Sequence, residues 1–191
     1  MHEQPPPRVL LDVDGVIADF VGTALRVVND LFGTSHTSAD VTRFDIAGSL
    51  GLSDDQRAIM QTALSGTPRL AAGLAVLPGA ADGVRRLREI AEVYIVTSSW
   101  DSNETWEFDR KAWLFEHFGI SRSHVIFAHA KHVCSGDFLI DDKTSTLVAW
   151  RDENPVGVAV QWVTQHNLLD AWSGVSASSW DDLIKIVGYS L

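Results

Sequence analysis

The 191-residue chain has a single cysteine, Cys134, and no long hydrophobic run. One thiol cannot form an internal disulfide, so a disulfide framework is excluded and a reducing compartment is favoured. No apolar stretch approaches the roughly 20 residues that span a bilayer. Met1 to Pro7 also lacks the charged and apolar regions of a signal peptide. We therefore expect a cytoplasmic protein that has no membrane partner.

Basic residues are also few, because 15 Lys and Arg stand against 25 Asp and Glu and the formal net charge is −10. Proteins that bind nucleic acids usually present a basic stripe, so a nucleic-acid polymer is not an expected partner. A small anionic substrate needs only local positive charge and stays compatible with this balance. The seven histidines lack the spacing to Cys or Glu that zinc sites show, and we expect them to be solvated or to cap helices.

Short apolar runs alternate along the chain with segments whose apolar residues recur every three or four positions. The first pattern predicts buried strands and the second predicts helices with one buried face. The predicted strands begin at Val9, Val93, Val125, Phe138 and Val156. Strands that alternate with helices form right-handed crossovers and a mostly parallel sheet covered on both faces. We therefore predict an α/β fold with a Rossmann-like three-layer core.

The region between the first two strands has a different character. Its first part, 16–31, has the spacing of an amphipathic helix, and the rest has weaker helical patterns without the alternation of a strand. A clear helix pattern returns after Pro78-Gly79. We predict a core formed by residues 8–19 and 78–191, with a small helical cap inserted at 20–77.

The most informative stretch lies where the first strand ends. Asp12 and Asp14 are two residues apart at the end of a buried apolar run, just before Gly15. Side chains two apart on a strand share a face, and like charges this close need a cation, a proton or a basic group between them. The pair is therefore a candidate for metal binding, nucleophilic attack or proton transfer. The alternative is a solvated turn in which one Asp caps the next helix.

Other polar groups follow the later strands, and parallel strands bring their carboxyl ends to one edge of the sheet. Their residues are Thr97, Ser98, Lys131, Asp141 and Asp142. Carboxylates from two strand ends can hold a hard cation such as Mg²⁺. A hydroxyl, a backbone N–H and an ammonium can hold phosphate oxygens. Each residue alone is more often a polar turn or a solvated side chain, but the set together predicts phosphoryl chemistry.

These motifs resemble those of the haloacid dehalogenase (HAD) superfamily of aspartyl-phosphate hydrolases. Within it, the closest similarity is to the 5′(3′)-deoxyribonucleotidase family of the cytosolic and mitochondrial type. The motifs that carry the resemblance are Asp12–Phe20, Leu77–Ala80, Val96–Ser98, Lys111–Trp113 with Phe118-Gly119, Lys131, Leu139–Asp142, His166-Asn167 and Ser179–Asp182. The likeness covers the core from Val9 to the C-terminus.

The resemblance implies a role for each residue. Asp12 would be the nucleophile, and Asp14 would be the general acid and base. Thr97 and Lys131 would hold the phosphoryl group, assisted by the backbone of Ser98. Mg²⁺ would bind Asp12, the main-chain carbonyl of Asp14, and one or both of Asp141 and Asp142. Reasoning from the residues alone leaves open which of Asp12 and Asp14 attacks phosphorus.

The cap departs from the family pattern, because 69–76 is aliphatic where the family has aromatic residues against the base. Phe44, Trp100 and Trp106 are the candidates to line a substrate pocket instead. The alternative for each of these aromatic side chains is that it packs in the core.

The resulting hypothesis is a Mg²⁺-dependent phosphomonoesterase, a 5′-nucleotidase of nucleotide metabolism that acts on nucleoside monophosphates. A phosphatase for another small ester, such as a sugar phosphate, is the alternative. A receiver-type phospho-acceptor module and a non-catalytic binding protein are alternatives from other classes. A homodimer is compatible with the sequence.

Overall fold

The computed structural model describes residues 5–189, which form a six-stranded sheet in the order β3-β2-β1-β4-β5-β6. All neighbouring strands are parallel. The strands are β1 (Arg8–Leu11), β2 (Glu92–Thr97), β3 (Val125–Phe127), β4 (Phe138–Asp141), β5 (Val158–Trp162) and β6 (Val175–Ala177). The predicted parallel sheet is confirmed, and β6 adds an edge strand that the sequence patterns did not predict.

The order of the strands reverses at β1. The chain moves from β1 to β2 and β3 on one side, and then returns to add β4, β5 and β6 on the other. In open parallel sheets, a crevice for ligands forms beyond the carboxyl ends of the strands at such a reversal. The fold therefore places its ligand crevice at the ends of β1 and β4.

The described residues contain seven α-helices, of which the first six connect strands and the last follows β6. They are α1 (Phe20–Phe32), α2 (Ile46–Ser49), α3 (Asp54–Gly66), α4 (Ala80–Ile90), α5 (Trp106–Phe118), α6 (Thr144–Glu153) and α7 (Trp180–Gly188). The first helix begins at Phe20, whereas its apolar spacing predicted a start at Val16. The difference arises because residues 16–18 form a tight turn in which three successive N–H groups donate to the carbonyl of Val13.

The sheet is covered on both faces, which confirms the three layers. Alternate residues of β1 point in opposite directions, so Val9 and Leu11 pack with α1, α4, α5 and α7, whereas Leu10 packs with α6. The second layer includes Leu147 and the fully buried Trp150 of α6. The central strand is therefore apolar on both sides until it reaches Asp12.

Residues 20–77 leave and rejoin the core side by side. The N–H of Leu77 donates to the carbonyl of Ile17 at 2.9 Å, and the N–H of Asp19 donates to the carbonyl of Ala75 at 2.9 Å. Between these points the chain is helical, with α1 packed against α3. This path is that of an insertion, and the division into core and cap at 20–77 stays a prediction. In residues 5–189 no helix combines the length and apolar character needed to cross a membrane.

The contact between α4 and α7 leads to a stability prediction. A Cβ on Gly83 would lie 1.9 Å from the ring of Trp180, which also packs on Trp162 with ring centroids 4.9 Å apart. We expect Gly83→Ala to lower the free energy of unfolding by about 2 kcal/mol, because the indole must shift within a packed layer. Urea unfolding measures this change in the free energy of unfolding. Gly66→Ala is the control, since no atom lies within 4 Å of its added Cβ, and a similar loss in both variants would contradict the interpretation.

Candidate active site

The predicted polar residues meet at the reversal of strand order. Asp12 and Asp14 follow β1, Thr97 ends β2, and Asp141 ends β4. They line a cavity of about 350 Å³ together with the other predicted site residues, which are Ser98, Lys131 and Asp142. The structure thus brings all seven predicted polar residues to one cavity.

The turn after β1 has a close approach that only glycine allows. Gly15 has φ +80°, and a Cβ there would lie 1.9 Å from Oδ2 of Asp142. Without that Cβ, the carboxylate of Asp142 packs directly against the turn that carries Asp12 and Asp14. The glycine of the motif therefore brings the two acidic segments together.

Lys131 lies between two of the carboxylates. Its Nζ is 2.7 Å from Oδ1 of Asp12 and 2.7 Å from Oδ2 of Asp141, and all three side chains are buried. Burial alone would lower the pKa of Lys131, but the charges of the two aspartates outweigh it and raise the pKa. The ammonium is therefore charged and holds the ends of β1 and β4 together.

Asp141 and Asp142 differ in their hydrogen bonds. Asp141 accepts from Lys131 through Oδ2 and from the backbone N–H of Lys143 through Oδ1 at 2.8 Å. Asp142 has Oδ2 at 2.7 Å from Nε2 of His166, whereas its Oδ1 is buried and has no partner among the described residues. Oxygens of Asp12, Asp141 and Asp142 lie within 4.8 Å of one another. The cluster has the donor set of a site for a hard cation.

Burial sets the protonation of these acids. It raises the pKa of Asp141 to about 7, with the charge of Asp12 adding to the effect and Lys131 opposing it. Burial likewise raises the pKa of Asp142, although the hydrogen bond from His166 opposes the rise. Burial and the charge of Asp12 also raise the pKa of Asp14, against the lowering effect of Arg110. Burial therefore favours the neutral form of all three of these carboxyl groups.

Three residues that contact the site acids were given no role from the sequence. His166 is buried and bonded to Asp142, so the expectation of a solvated or capping histidine is wrong for it. Its neighbour Asn167 donates to the backbone carbonyls of Asp142 and Trp162 at 2.8 Å. Arg110 is fully buried and donates to Asp14. The His166-Asn167 motif was a usable signal, whereas nothing in the pattern around Arg110 pointed to the cavity.

The outer wall of the cavity is mostly apolar. It consists of Phe20, Val21, Val41, Phe44 and Ile46, with His129 and Lys143 also lining the cavity. Phe44 is 54% exposed, and Lys143 places its ammonium 4.7 Å from the centre of the Phe44 ring. This wall can accept a flat or apolar group attached to a phosphate.

Of the three aromatic residues predicted to line the pocket, the structure places only Phe44 in the wall. Trp100 lies behind Phe20, with ring centroids 5.4 Å apart. Trp106 is buried, and its N–H donates to the carbonyl of Ser98 at 3.2 Å. Trp100 therefore supports the wall from the loop before α5, and Trp106 supports the turn of Ser98 from the first turn of α5.

Residues 7–187 match the model of a protein family described as 5′ nucleotidase, deoxy (Pyrimidine), cytosolic type C protein. The chain belongs to this family. It is 28% identical over 170 residues to the human 5′(3′)-deoxyribonucleotidase of the cytosolic type, covering 84% of this chain and 81% of the relative. The family predicted from the motifs is confirmed, and membership makes the protein a phosphoric monoester hydrolase.

Solved structures support the fold independently. A haloacid dehalogenase-like hydrolase from Burkholderia xenovorans LB400 superposes with a TM-score of 0.62 and 15% identity, covering 95% of this chain and 99% of that one. A HAD hydrolase from Bacillus subtilis, bound to magnesium, superposes with a TM-score of 0.58 and 16% identity, covering 96% and 99% of the two chains. The predicted HAD-like α/β fold is therefore confirmed.

The raised pKa of Asp141 leads to a prediction for the metal-free protein. The unfolded chain binds this proton near pH 3.8 and the folded chain near pH 7, so the folded state loses stability as pH rises between these values. We expect the melting temperature in EDTA to fall between about pH 4 and about pH 7, and to fall less in Asp141→Asn. Asp152→Asn on the exposed face of α6 is the control. An equal slope for Asp141→Asn and the parent would contradict the assignment.

Proposed function

We propose that the protein hydrolyses nucleoside 5′-monophosphates, ribo or deoxy, through an aspartyl phosphate formed on Asp12. The observation that carries the proposal is the buried Lys131 between Asp12 and Asp141 at the base of a cavity whose outer wall is aromatic and apolar. The lysine fixes Asp12 through one oxygen and supplies positive charge where a phosphate would sit. Membership in a nucleotidase family supports the same reaction.

The first step would transfer the phosphoryl group to the enzyme. A carboxylate oxygen of Asp12 attacks phosphorus, the bond between phosphorus and the ester oxygen breaks, and protonated Asp14 donates its proton to that leaving oxygen. The nucleoside then departs as a neutral alcohol. Thr97, the Ser98 backbone N–H and Lys131 hold the other phosphoryl oxygens in this proposal.

The second step would return the enzyme to its starting state. Asp14, now a carboxylate, accepts a proton from water while the water oxygen attacks phosphorus. The bond between phosphorus and Asp12 breaks, phosphate is released, and Asp14 is again protonated. The enzyme's own protons and bonds are restored over the cycle, and water is the only reactant consumed besides the phosphate ester.

The carboxylate cluster fits Mg²⁺. Both oxygens of Asp141 already accept hydrogen bonds, whereas Oδ1 of Asp142 is buried and lacks a partner among the described residues. We assign Asp12, Asp142 and the main-chain carbonyl of Asp14 as the residues that hold the metal, with Asp141 orienting Lys131. When bound, Mg²⁺ supplies positive charge against the phosphate and the buried carboxylates.

The wall of the cavity favours a nucleotide over a simpler ester. The aliphatic segment 69–76, which raised the alternative of a different phosphate ester, does not line the cavity. Its residues Leu70, Ala71 and Leu74 are buried in the core instead. Phe20 and Phe44 line the cavity and offer aromatic surface to a base.

Phosphate release from a panel of nucleoside monophosphates and sugar phosphates, with Mg²⁺, tests the proposal. We expect nucleotides to be hydrolysed and Asp12→Asn to lose about 1,000-fold or more in rate. Asp152→Asn, the same change on an exposed surface, should retain the parent rate. Turnover of sugar phosphates alone would overturn the substrate. A stable phosphoprotein without turnover would favour the receiver-type module instead.

The metal assignment has its own test, which is the Mg²⁺ concentration needed to raise the melting temperature. We expect Asp142→Asn to need at least about tenfold more Mg²⁺, because it replaces a charged ligand carboxylate with a neutral amide. Asp141→Asn should need less of an increase, since that residue acts on Lys131. The assignment would be reversed if Asp141→Asn weakened Mg²⁺ binding more than Asp142→Asn did.

A further inference from the structure

Arg110, on the second turn of α5, makes its hydrogen bonds to the carboxylate of Asp14. Its Nη2 donates to Oδ1 at 2.8 Å and to Oδ2 at 2.9 Å. The Arg110 side chain is fully buried, whereas that of Asp14 is 30% exposed. The buried Arg110 thus holds the carboxylate of Asp14, which extends into the cavity.

The rest of the guanidinium has little compensation for its burial. Nε and Nη1 of Arg110 are buried without a hydrogen-bond partner among residues 5–189. Burying a charge with unsatisfied N–H groups is costly, and an apolar side chain of similar size usually stabilises a core at least as well. Stability alone therefore does not account for an arginine at this position.

Two tryptophans pack against the guanidinium. Its carbon lies 4.5 Å from the ring centre of Trp106 and 5.8 Å from that of Trp113. Each indole is itself anchored, Trp106 to the carbonyl of Ser98 and Trp113 to the carbonyl of Leu74 at 2.8 Å. Arg110 is therefore held by groups that are tied to the phosphate-binding turn and to the end of the cap segment.

Asp14 has no comparable anchor of its own. Lys131 bonds to Asp12 but not to Asp14, and Arg110 is the only described side chain that hydrogen-bonds or ion-pairs with the Asp14 carboxylate. The hydrogen bonds of the turn that carries Asp14 join backbone atoms and do not involve its carboxylate. Arg110 therefore determines where that carboxyl group lies.

We propose that Arg110 is the positioning residue that holds Asp14 within reach of the leaving oxygen. The inference rests on the proposed function, in which Asp14 protonates that oxygen. It makes Arg110 necessary where the leaving group needs a proton, and nearly dispensable where the leaving group departs as a stable anion.

Two esters separate these cases. A nucleoside 5′-monophosphate has an alcohol leaving group that needs a proton, whereas p-nitrophenolate leaves without one. The ratio kcat/KM is the readout, because it covers only the steps up to departure of the leaving group. For Arg110→Met we expect kcat/KM to fall about 100-fold on the nucleotide and by less than about tenfold on p-nitrophenyl phosphate. Arg110→Lys should recover about tenfold on the nucleotide, because its ammonium can still donate to Asp14.

A double-mutant cycle tests whether Arg110 acts through Asp14. Asp14→Asn should show the same preference for the aryl ester, and adding Arg110→Met to it should change kcat/KM on the nucleotide by less than about threefold. Lys111→Met is the matched control, since this neighbour on α5 contacts Glu107 and Phe127 rather than Asp14. Melting temperatures confirm that each variant is folded, and Arg110→Lys serves if Arg110→Met is not.

The outcomes separate the inference from the proposed function. Equal losses on both esters, no loss on either, or full additivity with Asp14→Asn would overturn the role of Arg110 and leave the reaction standing. If the parent protein hydrolysed neither ester with Mg²⁺, the proposed function and this inference would both be overturned.

Discussion

The ion triad of Asp12, Lys131 and Asp141 is the interaction on which the site depends. Its members come from the ends of β1 and β4 and from the turn after β3, and the lysine contacts both acids at 2.7 Å. Without the ammonium, buried carboxylates on adjacent strands would repel one another where the sheet has least freedom to move. The reversal of strand order supplies the crevice, and the triad makes it possible to fill that crevice with acids.

The remaining acids are compensated from elements outside the sheet. Asp14 receives Arg110 from α5, and Asp142 receives His166 from the segment after β5. Every carboxylate at the base of the cavity therefore has a basic partner that lies on another element of the core. The consequence is that the geometry of the site is set by the packing of the whole core, because a shift in α5 or β5 would move an acid as well.

The sequence predicted the acids better than their partners, for a physical reason. Strand-end carboxylates interrupt a regular apolar pattern, so Asp12, Asp14, Asp141 and Asp142 could be recognised. Arg110 lies within a helix, where a basic residue usually indicates a solvated face, and only tertiary packing shows that it is buried. Helix α6 and strand β6 were not predicted, since α6 lacks a clear apolar periodicity and β6 is a three-residue edge strand. The same limit applies to Trp106, whose direction depends on where α5 begins, and to Trp100 in the loop before that helix.

Asp12 and Asp14 show how one strand end can supply two chemically different groups. They are identical side chains two residues apart, yet one is held by a lysine shared with Asp141 and the other by a planar guanidinium that packs against two indoles. The shared lysine keeps Asp12 at the base of the cavity with the other acids, as a nucleophile requires. The guanidinium keeps Asp14 further out, at 30% exposure, where a leaving oxygen would lie. The cation that reaches each carboxylate therefore supports the proposed assignment of Asp12 as nucleophile and Asp14 as acid, which the sequence alone left open.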